Sequence, residues 1–504
     1  MSKKRLFVLF SVFVLALLVV VPAIAGISGS GASGVQIQNL STTSPVNVVV
    51  ELWNQDGSAA IPVSATGGDT INASAAKNYY LPTLPGVPDG AYAMAVSAGG
   101  PIAAIARTEW AATGGAALYS SVAPGTDVII PLVTSNFAGQ TSQFSIQNTN
   151  TAAAVSDVEI TLFGRGLAAA VTTLSGETIA PGTSKTYNLA DTAVWGTLPN
   201  TGVDLGVPTG FVGSVQITSA TDLVVQSFID IAGTRGVTGF TGVPTASAAD
   251  TLYCPLIRAN YYGDTGISIV NPNAAAVDVE ITFYADAGSP NAGTFTQDIS
   301  VPANSSVIAF QGPGGNSRAA GLPGGTQSSV NPVLTNDGFY GVARLVATGG
   351  TVQAVVNDTK FGAGWSVEAQ SSYNCVTATD AGVSFALPLM RTNHISTLRL
   401  TTGIQIQNVT GSDVTVSLDL YNWDGTSQAA SNPADVVIPA FGSGNFWQGS
   451  LTGLPTVPAD LGGSGWFGSA ILTSTGDVVA VVADEGNGGS TAVDSANYNT
   501  LLMP

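Results

Sequence analysis

Residues 34–39 read GVQIQN and residues 403–408 read GIQIQN, with QFSIQN ending at Asn148 and GISIVN ending at Asn271 between them. Each is followed by an alternating apolar–polar segment: VVVELWNQDG from Val48, VEITLFGRG from Val158, VEITFYADAG from Val279 and VSLDLYNWDG from Val416. Next comes a turn of one kind, INASAA from Ile71, IAPGTS from Ile179, VPANSS from Val301 and IPAFGS from Ile438. An LP loop follows at Leu84, Leu198, Leu322 and Leu454, and three of the copies then show a Gly-led strand, GSVQITS from Gly213, GVARLVATG from Gly341 and GSAILTSTG from Gly468. A last apolar strand closes the copy: PIAAIA, DLVVQSF, TVQAVVND or DVVAVVADE. The same markers in the same order mean an internal repeat.

Alternation with period two, enrichment in Val, Ile and Thr, and turn residues every 8–12 positions predict antiparallel strands. The Asp-Gly pairs after Trp53 and Trp423 suit hairpin turns, because Gly adopts positive φ without steric cost. The asparagine closing each QN strand can bond nearby backbone and tolerate a left-handed turn. A repeat of roughly 110–140 residues is long enough to bury a two-sheet core of its own. The fold expected is all-β: four tandem immunoglobulin-like antiparallel β-sandwich domains in a row, over residues 35–126, 127–250, 251–384 and 385–504.

Composition agrees. Charged residues are 9% of the 504, hydrophobic residues 45%, and there are 60 Gly and 26 Pro, which excludes coiled coils and long charged helices. Residues 1–25 read as a signal peptide: Lys3, Lys4 and Arg5, an apolar run over 6–21, then Pro22 and Ala23-Ile24-Ala25. The exported chain would begin at Gly26 with a flexible Gly/Ser arm, GISGSGASG, over 26–34. It would carry 11 basic against 32 acidic residues, which opposes nucleic acid and anionic lipid as partners. No membrane insertion is expected after cleavage, and the location expected is secreted, extracellular or at the cell surface.

A second marker, the PL junction, opens repeats two to four: IIPLVTSN from Ile129, CPLIRAN from Cys254 and LPLMRTN from Leu387. The first repeat lacks one, and the chain ends YNTLLMP. If the tail is a spare junction strand, Tyr498, Leu501, Leu502 and Met503 could complete the first sandwich of another copy, head to tail. Alternatively, TLLMP completes its own fourth repeat.

The QN strand, the I-P-G-S turn, the LP…GS stretch and the PL junction together resemble tandem repeats of secreted surface proteins from Chloroflexota-type bacteria. The resemblance covers nearly the whole mature chain and implies an extracellular β-rich repeat protein. It brings no catalytic motif with it.

Candidate chemistry is sparse. Cys254 and Cys375 would lie in an oxidising compartment and are expected to form a structural disulfide. LPNTG at residues 198–202 matches a sortase signal, but folded repeats follow it and the other copies have LP at the same place. Asp56-Gly57, Asn336-Asp337-Gly338 and Asp424-Gly425 could offer Ca²⁺ an oxygen or two, far short of a coordination shell, so no cofactor is expected beyond weak Ca²⁺ sites. His394, the only histidine, reads as a solvated junction residue. Asp484 and Glu485 should point to opposite faces of a strand. No enzyme activity is expected. Trp53, Phe163, Tyr284 and Tyr421 fall at matching positions and read as core aromatics, whereas Trp423, Trp447 and Trp466 lie in or near loops of the fourth repeat and are candidate glycan contacts. The function expected is a self-assembling structural surface protein (S-layer, sheath or filament subunit); the alternative is an adhesin or glycan-binding array read by the fourth repeat.

Overall fold

The computed structural model describes residues 14–17, 31–55, 60–110, 115–120, 124–202, 209–231, 237–261, 263–312, 319–322, 336–361, 367–396, 399–458, 463–486 and 495–503. Regular structure there is strand with short helical turns, and every named strand pair is antiparallel.

The second repeat shows the plan. The PL strand Gly125–Ser135 and the strand Val155–Gly164 flank the first half of Phe211–Ile231, with Ala170–Ile179 and Val243–Pro244 at the edges of that sheet. The second half of Phe211–Ile231 crosses to the facing sheet, between the QN strand Gln140–Asn148 and Val237–Thr241, while Ser184–Asn188 lies beyond the QN strand. Alternation then fills the gap between the sheets: Phe144, Ile146, Ile160, Leu162, Val215 and Val225 are all fully buried. The third and fourth repeats pair the same way around Thr251–Tyr261 and Gly382–Thr392.

Each QN asparagine is buried and ties three segments together. Asn408 Nδ2 donates to the carbonyls of Ser412, Ile438 and Pro439 at 2.7, 3.2 and 2.9 Å, and its Oδ1 accepts from Thr410 N at 2.8 Å. Asn39, Asn148 and Asn271 repeat the pattern. Left-handed backbone falls elsewhere than expected, at the asparagines that end the PL strands, Asn136, Asn260 and Asn393 (φ 53°, 53° and 49°). It also falls in the I-P-G-S turns, at Ser74, Gly182, Asn304 and Phe441 (φ 57°, 69°, 48° and 57°).

Two expectations about the first repeat change. Its QN strand is Gly31–Asn39, so half of the expected flexible arm is strand, paired with Ile102–Trp110. Glycine is useful there because a Cβ on Gly31 would sit 3.2 Å from Trp110 Nε1. The slot that a PL strand fills in the other repeats, the outer edge of Tyr92–Ala98, is taken by Val14–Leu17 from the expected leader.

The repeats are not in a row; they close into a ring. Gly115–Ser120, Val237–Thr241, Val367–Asn374 and Ser495–Asn499, one from each repeat, pack in succession round a central axis, the last against the first. Core clusters run across the seams: Val224 and Phe228 join the first repeat's core, Val355 the second's, Val481 the third's, and Ile105 and Leu118 the fourth's.

Replacing Asn408 with Ala removes the two N–H groups shared among three carbonyls and strands those buried acceptors, so the expected loss is about 2–4 kcal/mol in denaturant unfolding. Asn408→Asp should fare no better at neutral pH, since its oxygen would face those carbonyls. Wild-type stability in both variants would show that the clamp is dispensable.

Candidate functional site

The polar side chains that recur in the repeats converge on the seams. In a QN strand, Val35 and Ile37 face the core while Gln36 and Gln38 point outward, yet both glutamines are buried. Gln36 Nε2 donates to Pro388 O at 2.6 Å and Gly468 O at 3.2 Å, and Gln38 Nε2 to Ala470 O at 3.4 Å, across the seam with the fourth repeat. Gln407 reaches Ala343 O at 3.2 Å and Ser268 reaches Pro131 O at 2.8 Å at two other seams.

The same seams hold the buried charges. Asp484 Oδ2 accepts from Arg391 at 3.2 Å within the fourth repeat and from Arg107 of the first at 2.7 Å. Arg107 also pairs with Glu109 at 2.6 Å. Burial alone would push the Glu109 carboxyl up, but the Arg107 guanidinium beside it, with Arg391 and His394 further off, holds it below the usual range. In the next seam Arg258 pairs with Asp358 at 3.0 Å and with Glu485 of the fourth repeat at 3.6 Å. Asp484 and Glu485 thus do face opposite ways, Asp484 to Arg107 at the seam with the first repeat and Glu485 to Arg258 at the seam with the third.

Aromatics predicted for the cores also lie at seams. Leu52, Leu162, Phe283 and Leu420 take the core positions, so the next residue along each strand points out. Trp53 lies on Gly182 of the next repeat's turn, where a Cβ would come within 2.5 Å of its ring. Tyr284 stacks on Phe441 with ring centroids 6.2 Å apart, Tyr421 has the Ser74 side chain beside it, and Phe163 is half-buried at the matching place.

Of the candidate glycan contacts, Trp466 is 1% exposed and donates from Nε1 to Asn422 Oδ1 at 2.8 Å, so it belongs to the core. Trp423 is half-buried against Phe467, with centroids 6.0 Å apart. Trp447 is 42% exposed, on the other sheet, with its ring over Gly403. Tyr80 holds the equivalent position over Gly34 in the first repeat and is equally open, at 40%.

The tail is placed within its own repeat. Ser495–Asn499 pairs with the second half of Trp466–Gly486, Leu501–Leu502 pairs with the PL strand Gly382–Thr392, and Tyr498 OH donates to Leu389 O at 2.8 Å. These strands occupy the places of Val237–Thr241 and Val243–Pro244 in the second repeat. The tail is therefore the closing step of a sandwich, not a spare junction strand.

Cys254 and Cys375 are joined by a disulfide. His394 is buried rather than solvated, because the junction folds into a tight turn: its backbone exchanges hydrogen bonds with Leu400 at 2.9 and 2.8 Å, and its ring packs on Phe467. The LPNTG loop is tied down by Thr201, whose hydroxyl donates to Val212 O at 2.6 Å. Asp424 accepts from Thr426 N as an ordinary turn residue; Asp56-Gly57 and the side chains of Asn336 and Asp337 lie outside the described residues. Among the described residues no cluster of three His, Cys, Asp or Glu could hold a metal, and no helix is long and apolar enough to cross a membrane. A cleft of about 260 Å³ opens beside Val243, Val376 and Leu502, and the carboxylate lining it, Asp380, is held by Thr377 N at 2.8 Å.

Asp484→Ala would leave Arg107 and Arg391 buried without their shared counter-charge, and the expected loss is about 3–5 kcal/mol. Lys77→Ala, which removes the exposed partner of Asp69, should change stability by less than about 1 kcal/mol. Equal effects in denaturant melts would mean that the seam triad adds nothing. Likewise Trp466→Ala should cost about 3–5 kcal/mol by emptying core volume, while Trp447→Ala stays within about 1 kcal/mol on area grounds; the reverse order would refute the assignment of Trp466 to the core.

No family model and no curated protein matches the chain. Among solved structures, it aligns over 25% of its length with 93% of Thermotoga maritima 1070, at 11% identity and a TM-score of 0.18. Two others are domains of a biofilm associated protein. The BSP domain aligns over 94% of this chain and 90% of its own, at 6% identity and a TM-score of 0.14. The B domain aligns over 79% and 80%, at 6% identity and a TM-score of 0.17. At such TM-scores none of these likenesses bears on role.

Proposed function

We propose that the chain is a secreted structural component of the cell surface, a rigid building block of an S-layer, sheath or filament that acts as neither enzyme nor carrier. The observation that carries this reading is the use of its recurrent polar groups. Glutamines of the first and fourth QN strands, Ser268 of the third and the buried Arg, Asp and Glu side chains, which a catalytic or binding protein would aim into a cleft, are engaged in sealing repeats to one another. A disulfide and few surface charges suit an oxidising exterior and a long-lived assembly. The partner proposed is further copies of the same chain, meeting through ring surfaces. A glycan-binding role for the fourth repeat draws support from exposed Trp447 alone.

Light scattering and negative-stain microscopy of the exported protein test the reading. Extended or sheet-like assemblies are expected, and a strictly monomeric protein at high concentration would count heavily against it. A chain ending at Asn497 should lose stability in the fourth repeat, because Tyr498 and Leu501 close that sandwich.

A further inference from the structure

Four slots of one kind run round the ring, and the chain's own PL strands fill three of them. In each filled slot the residue preceding the return strand's buried glycine faces a fixed position of the PL strand: Val212 faces Thr134, Tyr340 faces Arg258, and Phe467 faces Arg391. The following repeat presents one side chain to that position. Counting along the strands that pair with the QN strands, these equivalent side chains are Thr359, Glu485 and Glu109, opposite Asp264, Thr401 and Ala32. The chemistry matches slot by slot. Thr134 is followed by Thr359, neutral with neutral. Arg258 has Glu485 at 3.6 Å, and the Arg391 charge acts on Glu109.

The fourth slot is the outer edge of Tyr92–Ala98, and the equivalent side chain of the following repeat is Asp230, opposite Thr141. Asp230 is 5% exposed and its Oδ1 has no hydrogen-bond partner among the described residues. Burial pushes its carboxyl up to about 6 against the opposing hydrogen bond from the Ile231 backbone, as expected for a buried acid. In this structure Val14–Leu17 holds the slot, but these residues belong to the expected leader, and the run over 6–21 contains no basic residue. Once a leader leaves, a bare apolar edge remains beside a buried acid, and an exposed edge is a template for strand addition.

We propose that in the exported protein this edge is completed by a strand from a separate polypeptide, one with the apolar-Pro-Leu pattern of the chain's own junctions and a basic residue opposite Ala91, which precedes Tyr92 as Val212 precedes Gly213. This rests on the reading of the chain as an exported surface component. A second copy is a poor donor, since its three PL strands and its tail are each paired within its own ring. The donor is therefore another chain that ends or begins with such a strand.

The test uses the exported protein, its N-terminus read by mass spectrometry, and a fluorescent synthetic peptide of residues 382–393, GVSFALPLMRTN. Saturable binding is expected, with new hydrogen-exchange protection over residues 92–98. Replacing the peptide's arginine by alanine, or Asp230→Asn in the protein, should each weaken binding by about tenfold or more, and the two changes together should weaken it little further. The junction peptide of residues 125–136, which carries threonine at that position, should bind wild type more weakly but be indifferent to Asp230→Asn. The precursor that retains residues 1–25 should not bind, its edge being occupied. No binding to the exported protein, binding indifferent to Asp230→Asn, or an exported chain that keeps residues 14–17 would overturn the proposal. So would self-assembly that buries residues 92–98 without peptide, which would assign the slot to a second copy. Peptide binding to a protein that never forms a lattice would uphold the slot while refuting the surface-layer reading.

Discussion

One buried carboxamide per repeat holds the corner on which each sandwich turns. The side chains of Asn39, Asn148, Asn271 and Asn408 are sealed from water, and each donates to the loop that leaves the QN strand and to the turn that returns to it. A carboxamide can do this because it presents two donors and an acceptor on one short, rigid stem. Ser would be too short and Asp would lack the donors. With that corner set, the chain passes from one sheet to the other at a defined place. The alternating strands on either side then have only one register that buries their apolar faces.

The corner also decides how repeats meet. It leaves the adjoining turn with a left-handed residue, Ser74, Gly182, Asn304 or Phe441, and at three of the seams an aromatic of the preceding repeat demonstrably reaches that turn. Outward glutamines of the first and fourth QN strands, Gln36, Gln38 and Gln407, lie over the preceding repeat and bond its backbone. Repetition of one contact four times, with a rotation at each step, returns the fourth repeat to the first. Small quarter-turn seams thus build a closed body whose ends are covered by each other. Where the four strands meet, Leu118, Gly239, Ser372 and Asn497 line a cavity of about 20 Å³, room for an ordered water.

Charge follows the same economy. Few charged residues exist, and several of the arginines lie in seams with an acid from the same or an adjoining repeat. Paired and hydrogen-bonded, such groups specify which surfaces meet; separated, each would be a buried uncompensated charge. That is why the acids and bases vary together from seam to seam, and why the mismatch at Asp230 stands out.

The amino-acid sequence by itself determined the all-β class, the recurring strand order and the outline of each repeat, because period-two alternation and turn chemistry are local properties written into neighbouring residues. Only the tertiary structure decided that the array closes. A glutamine on the outward face of a strand reads the same whether it meets water or another repeat, so nothing near Gln36 announces Pro388, 352 positions away. For the same reason Trp53, Phe163, Tyr284 and Tyr421 were assigned to cores and His394 and Trp466 to the surface, while the tail could be read either as part of its own repeat or as a strand for another copy. Burial is a property of the assembled body, and the side chains that seal one repeat to the next acquire their meaning only when both are in place.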